Sequence, residues 1–266
     1  MLSLVALIDG WGNDAACLRA AAGITKAVGG KLTVAHFKTA EVLPVGTMEV
    51  GTVITTSSAS DQEARSRAES AYAEECSHVP GCCLEIMDCG IGEAIKYLSP
   101  YHDVIVLERL LQTDGPDATA FSTALFDSRC AVLVSPSAKS SYDTVRHVAL
   151  AWNGTAQAGR ALRAAMPFLR KAVQVTVLQR SGSSEDAELK RYLTTRGIEP
   201  VAFRAYGQGS LTGRGWGRAL LAETTEIGAD LLVMGAYGSS IGNLLGFGRA
   251  TEKIVSSAPV PVLLSA

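Results

Sequence analysis

An excess of charge of either sign is missing from this sequence: 24 Lys and Arg stand against 26 Asp and Glu in 266 residues. That near-balance removes the electrostatic case for a nucleic-acid or anionic-membrane partner. Aromatic residues are scarce, at 6%, which argues against a base-stacking platform. No apolar run approaches the ~20 residues of a membrane-spanning helix; those around Leu231–Met234 and Val260–Leu264 are strand-sized. The opening Met1–Gly10 stretch carries no basic region and reaches Asp9 early. It reads as a buried first strand and not as an export signal, so the expected location is the cytoplasm. Six cysteines fall in the first half, and without an export signal they are expected as reduced thiols.

Catalytic machinery is missing as well. The four histidines, His36, His78, His102 and His147, stand in no nucleophile–base motif. Ser181-Gly182-Ser183-Ser184 is a loop and not a nucleophile elbow, which needs Gly-x-Ser-x-Gly after a strand. No enzyme activity is expected.

What is present is a globular composition, 47% hydrophobic with 26 glycines, enough to bury a sizeable core and exclude disorder. It is also a repeat. Ala6-Leu7-Ile8-Asp9-Gly10 reappears as Leu150-Ala151-Trp152-Asn153-Gly154, and Leu18-Arg19-Ala20-Ala21 returns unchanged as Leu162-Arg163-Ala164-Ala165. Leu32-Thr33-Val34 matches Val175-Thr176-Val177, Asp103–Leu107 matches Asp230–Met234, and Val132–Ser135 matches Val262–Ser265. Matching blocks in one order predict two copies of one domain, 1–138 and 142–266, joined through the polar Ser135–Ser141 stretch.

Each copy alternates short apolar runs with amphipathic segments. In the second, strands are expected at Val145–Ala151, Gln174–Gln179, Val201–Tyr206, Leu231–Met234 and Val260–Leu264. Helices are expected at Thr155–Arg170 (with Pro167 in its last turn), Ser184–Arg196 capped by Ser184, Trp216–Ile227 and Arg249–Ser256. This alternation predicts right-handed βαβ units, a parallel sheet and helices on both faces: an α/β fold, twice. The first copy follows the same order with an extra Thr/Gly-rich loop between Lys38 and Ser58.

Strand Leu231–Met234 runs into Gly235-Ala236-Tyr237-Gly238 and, nine residues on, Gly248-Arg249-Ala250-Thr251 opens a helix. A strand, a glycine-lined loop and a helix start make an anion site, since glycine lets backbone approach a phosphate and the first helical N–H groups point at it. The alternative is that these glycines only relieve turn strain. This Gly-x2-Gly-x9-Gly spacing after Val233-Met234, the closing Ala258-Pro259-Val260-Pro261-Val262-Leu263-Leu264 and the opening Val148–Thr155 resemble the universal stress proteins, specifically the tandem-domain bacterial type.

The resemblance implies a flavodoxin-like (Rossmann-like, adenine nucleotide alpha hydrolase-like) five-stranded parallel sheet of order 3-2-1-4-5 in each copy. Ligands in such sheets lie outside the C-terminal ends of strands 1 and 4, and Asn153 and Gly235 follow those strands in the second copy. By the resemblance, Gly235, Gly238, Gly248 and Ala250 line the phosphates of ATP or a related adenine nucleotide, with or without Mg²⁺, and Leu178 lies against the adenine. Asn153 replaces the Asp the family's ATP binders carry near ribose and adenine, and an amide can still accept and donate there. Arg249 replaces the hydroxyl residue that meets the phosphates; it either clamps a phosphate bidentately or points to solvent. In the first copy Glu108 and Leu111 stand where the first two glycines belong, no glycine follows Pro116 until Gly154, and no nucleotide is expected. The resemblance further implies a non-catalytic stress-response regulator, a pseudo-dimer within the chain through Ala131–Val134 and Val260–Leu264, a homodimer as an option, and an unnamed regulatory protein partner. The alternatives to a nucleotide-binding regulator are a nucleotide-free scaffold and a slow ATP hydrolase.

Two other features ask for a reading. Cys76, His78, Cys82, Cys83 and Cys89 are potential soft metal ligands, but their spacing is no zinc-finger pattern. Cys83–Met87 reads as a strand with alternate residues buried, so core packing is the expectation and no metal is expected. Gly207-Gln208-Gly209 with Gly213, Gly215 and Gly217 lacks dinucleotide-loop spacing and reads as a flexible lid or loop. Trp216 within it reads as an apolar staple for the following helix, with a ligand contact as the alternative.

Overall fold

The computed structural model describes residues 1–38, 58–109, 115–136, 142, 144–182, 186–209, 211–236 and 248–266. The first half runs β1 (Ser3–Ile8), α1 (Asp14–Val28), β2 (Lys31–His36), α2 (Ser58–Glu75), β3 (Cys83–Ile86), α3 (Ile91–Leu98), β4 (Val104–Glu108), α4 (Gly115–Ser122) and β5 (Ala131–Ser135). The second runs β6 (His147–Ala151), α5 (Ala156–Ala164), α6 (Met166–Leu169), β7 (Gln174–Arg180), α7 (Ala187–Thr194), β8 (Val201–Tyr206), α8 (Gly213–Glu226), β9 (Leu231–Gly235), α9 (Arg249–Ser257) and β10 (Val262–Ser265).

The described strands form one ten-stranded sheet in the order β3-β2-β1-β4-β5-β10-β9-β6-β7-β8. Counted from its own first strand, each half therefore runs 3-2-1-4-5. Among the described strands every pairing is parallel except that of β5 with β10, where Leu133 faces Leu263 in antiparallel register. Central strands are apolar at almost every position because helices cover both sheet faces. In β1, Leu4, Ala6 and Ile8 enter one core, while Val5 and Leu7 enter the other. Both cores cross the junction: Leu133 and Leu263 belong to the first, and Val132, Val134, Val262 and Leu264 to the second.

Several expected elements change at their ends. The single helix expected over 155–170 is two, α5 and α6, separated at Ala165. Pro167 near the start of α6 has no N–H to continue the ladder, so the chain restarts there. Helix α7 is capped by Asp186, whose Oδ1 accepts from the Leu189 N–H at 2.9 Å; Ser184 lies outside the described residues. Strand β3 forms, but Cys83 and Ile86 are exposed and the expected alternate burial is absent. It sits at the sheet edge, with β2 as its neighbour.

The expected lid at Gly213, Gly215 and Gly217 is instead the start of α8. The cause is packing. A Cβ on Gly217 would lie 2.8 Å from the Ala250 carbonyl oxygen, and one on Gly213 would lie 2.9 Å from Arg249 Cβ. Glycine costs helix propensity, about 1 kcal/mol against alanine, but here it lets α8 seat the first turn of α9 against it. The Arg214 guanidinium, 2.8 Å from Glu252 Oε1, ties the same two helices.

Parallel βαβ units present their turns at the C-terminal strand ends, and the antiparallel junction points those ends in opposite directions in the two halves. In the β1–α1 turn, four successive backbone N–H groups are taken by the chain's own carboxylates. Gly10 N–H donates to Asp14 Oδ2 at 2.9 Å, Trp11 and Gly12 donate to Asp9 Oδ1 at 2.8 and 2.9 Å, and Asn13 donates to Glu108 Oε2 at 2.9 Å. Burial, then the neighbouring Asp9 charge, pushes the Asp14 carboxyl up to about 6.

Two outcomes follow from this packing. Gly217→Val should lower stability by about 1–3 kcal/mol, the usual cost of overpacking, read as a lower urea midpoint. Asp14 ionises less readily folded than unfolded, so its favourable contribution is complete below about pH 3.8 and lost as pH rises through about 6. Asp14→Asn keeps an oxygen acceptor for Gly10 and should raise Tm at pH 7–8, worth up to about 3 kcal/mol, with no gain at pH 3.5. A Tm series against pH for both proteins decides it.

Candidate functional site

Strands β6 and β9 are neighbours in the sheet, and the chain leaves them toward opposite edges, so a crevice opens beyond their C-terminal ends. Ala151, Trp152 and Asn153 line it from the end of β6, Arg180 from β7, Tyr206 from β8, and Met234 and Gly235 from β9. Trp216 and Leu220 of α8 form one wall, and Gly248, Ala250 and Thr251 at the start of α9 close it. The enclosed volume is about 120 Å³.

The turn after β6 is built from short polar side chains. Asn153 Oδ1 accepts from the Thr155 hydroxyl at 2.9 Å, and Thr155 Oγ1 caps α5 by accepting from Ala158 N–H. The Trp152 indole donates to Asp186 Oδ2 at 2.7 Å. These bonds, the Leu189 amide first and the Trp152 indole second, hold the Asp186 carboxyl below its ordinary value, so it is a fixed anion behind the wall. Across the crevice the Tyr206 and Trp216 rings meet edge to face with centroids 6.0 Å apart. The exposed Arg180 guanidinium lies over Trp216, 4.4 Å from the ring centroid. Helix α9 begins at Arg249 after Gly248, an N-cap that brings no side-chain cap, and with Gly248, Ala250 and Thr251 in the lining its positive dipole end lies at the crevice.

Of the residues singled out from sequence, Asn153, Gly235, Gly248 and Ala250 come together at this crevice. Leu178 does not reach it; the side chain is fully buried in the core, and Arg180, two residues on, occupies the rim. Arg249 is exposed and outside the lining. Gly238, like Leu111 in the first half, falls outside the described residues. Gly235 has a packing reason of its own: a Cβ there would lie 2.6 Å from the Ala158 backbone nitrogen, so glycine admits the N-terminus of α5. Trp152, Arg180, Tyr206 and Thr251 are additional lining residues. The aromatic and cationic ends of β6, β7 and β8 were the available signal. Trp216, read first as a staple, lines the crevice.

The corresponding first-half crevice, between β1 and β4, encloses only about 50 Å³. Asp9, Asp14 and Glu108 line it with Phe37 and Phe121, and the three carboxylates hold the turn amides. A larger cavity, about 880 Å³, lies beside Trp11, His36, Lys38 and Arg65 at the ends of β1–β3. Its cations are spent internally: Lys38 sits 3.0 Å from Asp88, and Arg65 2.9 Å from Glu69. Another cavity of about 880 Å³ adjoins Arg19, Lys31 and Tyr142, and Arg19 there is paired with Glu75. The cysteine-rich segment does not gather into a metal site: among the described residues no three His, Cys, Asp or Glu side chains converge on a common centre. Among the described residues no helix is long and apolar enough to cross a membrane.

Comparison with known proteins follows the same geometry. The family model described as "Universal stress protein family" matches residues 210–265, which hold α8, β9, α9 and β10. Among curated proteins, none matches the chain. A universal stress protein from Archaeoglobus fulgidus DSM 4304 superposes with a TM-score of 0.70 at 18% identity, over 99% of this chain and 95% of its own. A functionally unknown protein from Pseudomonas aeruginosa PAO1 superposes with a TM-score of 0.59 at 11% identity, over 99% of this chain and 92% of its own. A universal stress protein in complex with cAMP aligns over 46% of this chain and 97% of its own, at 21% identity and a TM-score of 0.34. Residues 210–265 thus carry the universal stress protein signature, and the chain as a whole has the α/β fold of a universal stress protein.

Proposed function

We propose that this chain is a non-catalytic stress-response protein that binds one adenine nucleotide, in the β6/β9 crevice, and signals its occupancy to a protein partner. The observation that carries this reading is the meeting of a helix N-terminus with an aromatic wall and a guanidinium at a topological switch point. The start of α9 and Arg180 supply positive ends for phosphates, and Trp216 and Tyr206 supply faces for a base. Asn153 offers an amide to ribose or base, as the family resemblance suggests. The described lining contains no carboxylate, so Mg²⁺ would enter only on the phosphates of ATP. The first half is assigned no nucleotide, because its three carboxylates lie where phosphate charge would lie and repel it.

One observation favours a second reading, a scaffold with an empty crevice. Its volume of about 120 Å³ is below the ~300 Å³ of ordinary small-molecule sites, so a nucleotide requires Arg180 or Trp216 to move. The third possibility, slow ATP hydrolysis, has no carboxylate in the described lining to hold a metal and no Walker-type lysine in its favour.

Denaturing the purified protein and chromatographing the supernatant should release an adenine nucleotide near one equivalent per chain. Where none is released, titration of ATP, ADP and AMP should quench tryptophan fluorescence through Trp216. Arg180→Ala should then weaken binding on the order of tenfold to a hundredfold, the loss of a charged hydrogen bond worth about 1.5–3 kcal/mol. An empty supernatant, with neither quenching nor a thermal shift, selects the scaffold. Steady-state phosphate release that falls in Arg180→Ala selects the hydrolase.

A further inference from the structure

We infer that the cavity at the C-terminal ends of β1, β2 and β3 is a second ligand site, which takes a small protonated amine with an apolar body and bonds it to the buried His36 ring and to Asp9. It encloses about 880 Å³, within the ~300–1,000 Å³ of ordinary small-molecule sites. Three strand ends and one helix build it. Ile8 pairs with His36, and His36 with Ile86, in parallel register. Phe37 N–H donates to Ile8 O at 3.2 Å, and Met87 N–H donates to His36 O at 2.9 Å. Asp9, His36 and Met87 therefore end neighbouring strands at one level. Helix α2 closes the opposite side. Gly10 adopts a φ of +82° and lets it approach, since a Cβ there would collide with the Ala64 carbonyl. Asp61, Arg65 and Glu69 of α2 thus face the strand ends across the cavity.

His36 is the group that asks for a ligand. It is only 4% exposed, yet it lines the cavity. Its Nδ1 lies 3.3 Å from Ile8 O. A carbonyl only accepts, so Nδ1 carries the proton and Nε2 is an acceptor. Among the described residues nothing donates to Nε2, and with Nδ1 committed to β1 it is the polar atom the ring has left for the cavity. Burial holds the His36 pKa below the ordinary histidine value, which keeps the ring neutral and Nε2 an acceptor. A buried acceptor with no donor is costly, and the cavity is where a donor can enter. Asp9 stands beside it with a charge. Its Oδ1 accepts from the Trp11 and Gly12 N–H groups, and among the described residues its Oδ2 accepts no hydrogen bond.

The sign of the charge selects the ligand. In the described lining four carboxylates, Asp9, Asp61, Glu69 and Asp88, stand against two cations, Lys38 and Arg65. Both cations are paired: Lys38 with Asp88 at 3.0 Å and Asp61 at 3.7 Å, Arg65 with Glu69 at 2.9 Å. An incoming anion meets the excess of carboxylates, whereas a cation is attracted by it. Trp11 already receives one cation, the Arg67 guanidinium 4.6 Å from its ring centroid, which Glu63 pairs at 2.6 Å. An ammonium only donates, so it satisfies His36 Nε2 and Asp9 Oδ2 together. Its apolar body then lies against Trp11, Ile86 and Met87, which line the same cavity.

Calorimetric titration of the full chain at neutral pH with phenethylamine, phenethyl alcohol and hydrocinnamate, which share a ring and differ in charge, decides the matter. Phenethylamine should bind with a dissociation constant of about 1 mM or tighter, phenethyl alcohol about tenfold more weakly, and hydrocinnamate not measurably. His36→Asn keeps a side-chain N–H for Ile8 O and loses Nε2. Asp9→Asn keeps an oxygen for the turn amides and loses the charge. Each should weaken phenethylamine about tenfold to a hundredfold, the range of a charged hydrogen bond, with the circular dichroism of the parent. Where one variant fails to fold, the other decides. Absence of phenethylamine binding overturns the assignment, as does equal or tighter binding of the alcohol or the carboxylate. An affinity unchanged in either folded variant overturns it too.

Discussion

The antiparallel pairing of β5 with β10 is the constraint on which the rest of this architecture depends. Each half-sheet would otherwise end in a strand apolar on both faces, with Val132, Leu133 and Val134 on one side and Val262, Leu263 and Leu264 on the other. Such an edge is an open template for association. Pairing the two edges within one chain satisfies both rows of backbone groups and lets each sheet face carry one core through both halves. It also dictates where function can sit. Ligands of parallel sheets collect at C-terminal strand ends, and reversing direction at the junction sends the two crevices to opposite ends of the sheet. Neither crevice can share a ligand with the other, so each half was free to diverge alone.

That divergence is electrostatic before it is steric. In the first half, Asp9, Asp14 and Glu108 hold the N–H groups of 10–13. An anion arriving there would compete for amides already bonded and meet three like charges, at about 4 kcal/mol for a unit pair 4 Å apart near a surface. Burial first, and the Asp9 charge second, already raise the Asp14 carboxyl to about 6. In the second half the equivalent turn is built by Asn153 and Thr155, neutral groups that bond each other. The acid at position 108 has no counterpart, because Gly235 stands there and admits α5. Asp186, bonded to the crevice residue Trp152, is committed to that indole and to a helix cap.

Most of this was legible because it rests on local pattern. Period and length placed all five second-half strands, and the internal repeat announced two like sheets. Of the residues that converge on the crevice, Gly235 and Gly248 were readable because turns after strands and helix starts declare themselves locally, while Asn153 and Ala250 came through the family resemblance. What escaped depends on contacts distant in sequence. Whether Gly213 and Gly217 end a helix or pack one is decided by Ala250 and Arg249. Trp216 is a wall residue because Arg180 and Tyr206 arrive beside it from two other strands. Leu178 illustrates the opposite error: it shares a strand face with Arg180 but lies two residues further inside, so the core takes Leu178 and the crevice takes Arg180 at the strand's end.

The glycines of α8 therefore act on the site at one remove. By admitting the first turn of α9, they seat its N-terminus against α8, and α8 carries Trp216 into the crevice wall. Anion end and aromatic face are thus fixed by one helix pair, while the guanidinium that joins them is not. An exposed cation–aromatic contact is worth only ~0.5–1 kcal/mol, and Arg180 is exposed. A phosphate offers that guanidinium a stronger, bidentate partner. On the proposed function, a ligand that drew Arg180 off Trp216 would uncover the ring face. The ~0.5–1 kcal/mol of that contact is less than the ~1.5–3 kcal/mol that a hydrogen bond to a charged group returns.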